Sequence, residues 1–157
     1  MAHREGIREF LKDVELKGTV IDWGCGTKPI KNYLKGDCKF IGIDKLDHVG
    51  ADKVIDMTNS LEIGIRADLA FCLEVIEHVW NSKTLVMNIY KHLKDDGVLY
   101  LSQPFMYEVH KEDDRVRYTH HGLRQLLEEA GFRDIHIEAT GGKDLDHAWG
   151  YVVRAVK

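Results

Sequence analysis

Asp22-Trp23-Gly24-Cys25-Gly26-Thr27 follows a run of apolar residues, and Asp44 closes a second apolar run about 20 residues beyond the glycines. Glycine adopts backbone angles closed to other residues, and without a Cβ it lets a ligand lie against the main chain. A carboxylate at that distance suits the hydroxyls of a ribose. These residues therefore point to a nucleotide-bearing ligand. The dinucleotide fingerprint G-x-G-x-x-G is incomplete, because its last glycine is replaced by Pro29, a residue suited to a first helical position. Asp56 and Glu74 end two further apolar runs, placing more carboxylates in register with Asp44.

A second group lies in the polar stretch 103–119. His110 carries an imidazole that titrates near neutral pH and can take a proton from a hydroxyl or an amine, so it is the candidate catalytic base. Arg117 either pairs with Asp113 or Asp114 or holds an anionic substrate group through two hydrogen bonds. Tyr107 and Tyr118 either stack on a substrate ring or pack the segment. About 16 residues between a strand and a helix exceed the usual 4 to 6, and loops of that length commonly bind ligands. Glu74-Val75-Ile76-Glu77-His78 lacks the first histidine of the zinc sequence H-E-x-x-H, and no metal is expected there.

The elements that must position these groups alternate. Apolar residues at Ile7, Phe10, Leu11 and Val14 predict a helix over 7–16. Strands are predicted at 19–23, 39–44, 52–57 and 67–73, with a short helix around 30–34 and a short helix or loop over 58–66. The stripe Leu85, Val86, Ile89, Tyr90 and Leu93 predicts a helix that 95–97 closes before a strand at 98–102. Thr119 reads as an N-cap and Gly131 as the stop of the following helix. Strands at 132–139 and 149–156 have no helical pattern between them and should form an antiparallel hairpin. The expected fold is α/β: a Rossmann-like, doubly wound, mainly parallel seven-stranded sheet ending in that hairpin, with helices on both faces.

With 157 residues, 1–157 is expected to be one domain. Net charge is −4 and no basic run stands out, so nucleic acid is not an expected partner. Cys25, Cys38 and Cys72 form no C-x-x-C pair, read as buried, and suit a reducing cytoplasm. Neither a signal peptide nor a membrane span is evident, and a cytoplasmic monomer or homodimer is expected.

The order D-x-G-C-G-T, then Gly42-Ile43-Asp44, then an acid after the third strand, then Leu73-Glu74-Val75-Ile76-Glu77-His78-Val79 resembles the class I S-adenosylmethionine-dependent methyltransferases of the small type-11-like group. The resemblance covers nearly the whole chain. It implies that Asp22 and the Gly24-Cys25-Gly26 backbone face the methionine end of S-adenosylmethionine. Asp44 would hold the ribose and Lys45 would lie along the adenine. Asp56 would stand near the adenine amino group with Met57 on the ring. Leu73 and Glu74 would lie beside the sulfonium, and His78 would contact the pocket. The loop pattern P-F-x-Y-x-x-H followed by R-Y-T resembles bacterial members associated with sugar and surface-polysaccharide biosynthesis, although residues 111–114 stand where those members have a proline and a single aspartate. The expected activity is methylation of a small molecule or a sugar or polysaccharide precursor, at oxygen, with S-adenosylhomocysteine as product. Tyr107, His110, Arg117 and Tyr118 are the expected substrate contacts. The alternatives are a binding or regulatory module that keeps this fold without catalysis, and a nicotinamide-dependent oxidoreductase.

Overall fold

The structure, a computed structural model, describes residues 3–28, 30–47, 50–109 and 111–157. Helix α1 (His3–Leu11) precedes strand β1 (Gly18–Trp23), a one-turn helix α2 (Ile30–Tyr33), β2 (Cys38–Asp44), a two-residue β3 (Lys53–Val54) and β4 (Ala67–Leu73). Helix α3 (Ser82–His92), β5 (Leu93–Pro104), α4 (His120–Ala130), β6 (Arg133–Thr140) and β7 (Gly150–Val156) complete it. The seven strands form one sheet in the order β3-β2-β1-β4-β5-β7-β6. Every pairing from β3 to β5 is parallel, while β7 runs antiparallel to both β5 and β6. The predicted hairpin is present, with its second strand inserted beside β5.

Strands covered on both faces read as apolar runs because successive side chains enter different layers. Ile21 and Trp23 of β1 enter the layer built with Leu85 and Ile89 of α3 and Leu123 and Leu127 of α4. Val20 enters the opposite layer with Ile7 and Leu11 of α1 and Ile30 of α2. By the same alternation Asp22 faces α1 and α2, which fixes the side of the sheet on which a ligand meets it. Two predicted ends are met closely: Thr119 Oγ1 accepts the Gly122 amide at 3.1 Å, and Gly131 caps α4 at φ 106°.

Other boundaries move for physical reasons. α1 spans His3–Leu11 rather than 7–16 because its buried side is His3, Gly6, Ile7 and Leu11. Residues 58–66 take the loop form of the two readings; the buried Asn88 amide donates to the carbonyls of Met57 and Asn59 and accepts from the Leu61 amide, holding the segment against α3. The third strand shrinks to two residues. The fifth begins at Leu93 instead of 98, since Leu93 is fully buried and pairs with Ala67 across a bulge. Of the three cysteines, Cys25 and Cys72 are buried and Cys38 is only half-buried. Among the described residues no helix is long and apolar enough to cross a membrane.

Candidate active site

The carboxyl ends of β1 and β4 meet beneath α1, and the end of β2 lies beside that of β1. Gly24 and Gly26 both have positive φ, +78° and +48°. The amides of Gly24 and Cys25 donate to the Ile43 carbonyl at 2.8 and 3.0 Å, and the Gly26 amide donates to Asp44 Oδ2 at 3.0 Å. Asp44 Oδ1 accepts from the Leu46 amide at 3.0 Å, so this carboxylate is aimed by its own loop and by the glycine turn together. A Cβ on Gly24 would stand 2.3 Å from Val75 Cγ2, whereas one on Gly26 would meet nothing within 4 Å. The turn is thus packed on one side and open on the other.

Beside Gly24 and Cys25 lies a cavity of about 740 Å³, with Asp22, Gly24, Cys25, Leu73 and Glu74 on the sheet wall and Arg4 and Arg8 on the α1 wall. Its size lies within the range of small-molecule and cofactor pockets. Asp22 is 4% exposed, and burial, reinforced by Asp44 and opposed by Lys28, pushes its carboxyl up to about 7. A buried acid in this position gains most from a ligand that brings positive charge. Burial, with Asp22 and Asp44 adding, pushes the Cys25 thiol up to about 11, so it stays protonated and serves as packing. The open turn, the aimed Asp44 and the buried Asp22 fit the ribose and amino-acid portions of S-adenosylmethionine.

Beyond β3, Met57 is buried. Asp56 is exposed, with its oxygens accepting from the Thr58 amide and hydroxyl at 2.9 and 2.7 Å and from Asn59 at 3.3 Å. Lys45 reaches across to Asp113 at 3.4 Å. Past β4 the chain makes a single 3-10 turn over Ile76–His78. His78 Nδ1 lies 3.0 Å from Asp113 Oδ1, and the Glu77 carbonyl accepts the amides of Arg115 and Val116. His78 therefore ties the 3-10 turn to the long loop.

Arg117 is committed to that loop: it grips Asp114 at 2.8 and 2.5 Å and donates to the Phe105 carbonyl at 2.7 Å. Of the two readings open in the sequence, pairing with an aspartate is the one present. Tyr118 is held by its backbone to the buried Gln103 amide and packs on the core, while Tyr107 is exposed at the rim. His110 and Pro29 lie outside the described residues.

Sequence reasoning missed what His3 of α1 does. His3 is 4% exposed and its Nε2 lies 3.0 Å from both oxygens of Glu74, while Nδ1 contacts Thr140 Oγ1. The signal was the spacing of His3, Ile7 and Leu11, which places an imidazole on the apolar stripe of the helix. Glu77 was missed as well: it is fully buried with no hydrogen bond to either oxygen, and burial, reinforced by Glu74, pushes its carboxyl up to about 8. Among the described residues no cluster of His, Cys, Asp and Glu could hold a metal ion.

A family model described as a methyltransferase domain matches residues 2–137. This chain belongs to the class I S-adenosylmethionine-dependent methyltransferases. A curated relative, (S)-coclaurine N-methyltransferase of Papaver somniferum, is 32% identical over 71 residues, which are 45% of this chain and 19% of that protein. The match thus spans about a fifth of the relative's length. An S-adenosylmethionine-dependent methyltransferase from Thermotoga maritima shares the fold at TM-score 0.74 and 17% identity, over 99% of this chain and 89% of its own. Phosphoethanolamine N-methyltransferase 2 of Haemonchus contortus, solved with S-adenosylmethionine, does so at TM-score 0.72 and 13% identity, over 98% of this chain and 52% of its own.

Proposed function

We propose that this chain transfers the methyl group of S-adenosylmethionine to a hydroxyl oxygen of a small acceptor, a sugar or polysaccharide precursor first among them. The observation that carries the reading is the cavity beneath α1, lined by the buried Asp22, Gly24, Cys25 and Glu74, together with the hydrogen bond by which the adjoining Gly26 amide aims Asp44. When bound there, the cofactor supplies an electrophilic methyl on a positively charged sulfur. Asp22 and the Gly24-Cys25-Gly26 backbone would hold its amino-acid end, and Asp44 the ribose hydroxyls. Met57 would pack on the adenine with Asp56 and Lys45 at its edge. Leu73 and Glu74 would flank the sulfur, and His78 would close the pocket by fixing the loop.

Displacement at a sulfonium needs alignment above all, a term worth up to roughly 7 to 11 kcal/mol in favourable cases. The rigid strand ends supply that alignment. The acceptor would enter past Met106, Tyr107 and Trp149, an exposed rim at the carboxyl end of β5 joined to the β6–β7 connection by the Phe105 amide and the Trp149 carbonyl at 2.7 Å. A nitrogen acceptor is the second reading, favoured by the curated relative named as an N-methyltransferase. The test is production of S-adenosylhomocysteine with nucleotide sugars and with small amines. Turnover confined to the sugars supports the first reading and turnover confined to the amines the second. Tight cofactor binding with neither would leave a binding module.

A further inference from the structure

Glu74 is the first residue beyond β4 and sits at φ +56°, a left-handed conformation that is a rarity outside glycine, asparagine and aspartate. Such strain persists where the surroundings over-determine it, and it gathers at functional sites. Here the surroundings are specific. The Glu74 amide donates to the Ser102 carbonyl at 3.2 Å and to Ser102 Oγ at 3.1 Å, and the Ser102 hydroxyl donates back to Glu74 Oε1 at 2.8 Å. His3 Nε2 adds a donor 3.0 Å from both carboxylate oxygens. Because an ionised carboxylate only accepts, Nε2 carries the imidazole proton, and Nδ1 accepts from the Thr140 hydroxyl.

The seat for His3 is built by missing side chains. A Cβ on Gly150 would stand 2.2 Å from His3 Cε1, and one on Gly6 would stand 2.8 Å from Thr140 Cβ. Two glycines on different elements thus let α1 deliver a buried imidazole to the end of β4. The result is asymmetric: Oε1 accepts from both Ser102 and His3, whereas Oε2 shares only the His3 proton among the described residues. Glu74 lines the same cavity as Asp22 and Gly24.

We propose that Glu74 is the proton acceptor of the methyl transfer, through Oε2, and that His3 is the positioning residue that aims it; this rests on the reading of the cavity as the cofactor site. The substrate oxygen forms its bond to the methyl carbon as the carbon–sulfur bond breaks, with sulfur keeping the electron pair. The substrate's hydroxyl proton moves to Oε2, leaving Glu74 neutral. Ser102 and His3 keep Oε1 occupied, so the proton has one destination.

The test needs no acceptor. Sinefungin carries a primary amine where S-adenosylmethionine carries the methylsulfonium, so its ammonium reports a carboxylate facing the transferring methyl. Wild-type protein is expected to bind sinefungin about tenfold more tightly than S-adenosylhomocysteine, the weight of one charge-assisted hydrogen bond. Glu74→Gln should abolish that preference while leaving S-adenosylhomocysteine affinity within about threefold, a change under 0.7 kcal/mol. Should the glutamine variant not fold, Glu74→Asn serves, since asparagine accepts a left-handed backbone readily. His3→Ala should weaken the preference selectively, and His3→Gln, which keeps a donor, should restore it; loss of both affinities together would mark His3 as merely structural and overturn its role. Sinefungin binding no tighter than S-adenosylhomocysteine, or an unchanged preference in the Glu74 variants, overturns the proposal. Failure of wild-type protein to bind S-adenosylhomocysteine would instead overturn the cofactor reading.

Discussion

Replacing Glu77 with glutamine removes the one described side chain whose buried polar atoms have no hydrogen-bond partner, and the consequence depends on pH. Glu77 is fully buried, with His78 Nε2 the nearest ion-pairing group at 3.6 Å. Burial, Glu74 and Asp114 all favour its protonated form, and Arg117 opposes them, leaving the carboxyl near 8 against an ordinary 4.5. The folded pKa is raised, so the stability it lends is fully present below pH 4.5 and is lost as pH climbs toward 8. Each pH unit in that window removes up to about 1.4 kcal/mol, which sets a ceiling near 5 kcal/mol; local relaxation should leave about 2 to 4. For a chain of this length, about 1 kcal/mol moves Tm by roughly 2 to 4 °C. Thermal unfolding of wild type and Glu77→Gln from pH 5 to 8.5 should therefore show the variant gaining on wild type by about 5 to 10 °C as pH rises. A Tm difference that stays flat across that range would refute the reasoning.

Three further outcomes follow from the site and the fold. Asp22 titrates near 7, and a cationic cofactor favours its ionised form, so affinity for S-adenosylmethionine by calorimetry should tighten about tenfold from pH 6 to 8, and Asp22→Asn should flatten that dependence. Gly24→Ala meets both a positive φ and a Cβ 2.3 Å from Val75, so Tm should fall by several degrees and cofactor affinity should drop more than tenfold. Thr119→Ala removes the α4 cap, which should lower stability by about 1 kcal/mol in denaturant unfolding without changing S-adenosylhomocysteine affinity.

The alternation of apolar runs with glycine turns and helical stripes made the parallel sheet and its closing hairpin legible, because strand faces and helix caps are local properties. The turn at Gly24 and Gly26 and the acid at Asp44 could be read for the same reason: each sits where a strand must end. What could not be read was long-range. The His3–Glu74 contact joins residues far apart in the chain, through two glycines whose purpose emerges only when α1 packs on β6 and β7. For Arg117 the sequence favoured pairing with Asp113 or Asp114 over a substrate anion, but its bond to the Phe105 carbonyl depends on a loop path that composition does not encode. Over 58–66 the sequence left a short helix or a loop open, and the loop is present because a single buried asparagine, Asn88, satisfies its backbone from another element.

The most direct test of the central claim is thermal unfolding with S-adenosylhomocysteine, with oxidised nicotinamide dinucleotide as control and Asp44→Ala as the variant. At a hundredfold excess over its Kd, a ligand of the native site adds about 2.7 kcal/mol, or roughly 5 to 10 °C here. The account predicts that rise for S-adenosylhomocysteine alone, and its loss in Asp44→Ala, whose missing carboxylate also frees the Gly26 amide. No rise in the wild type, or a rise only with the dinucleotide, would contradict it.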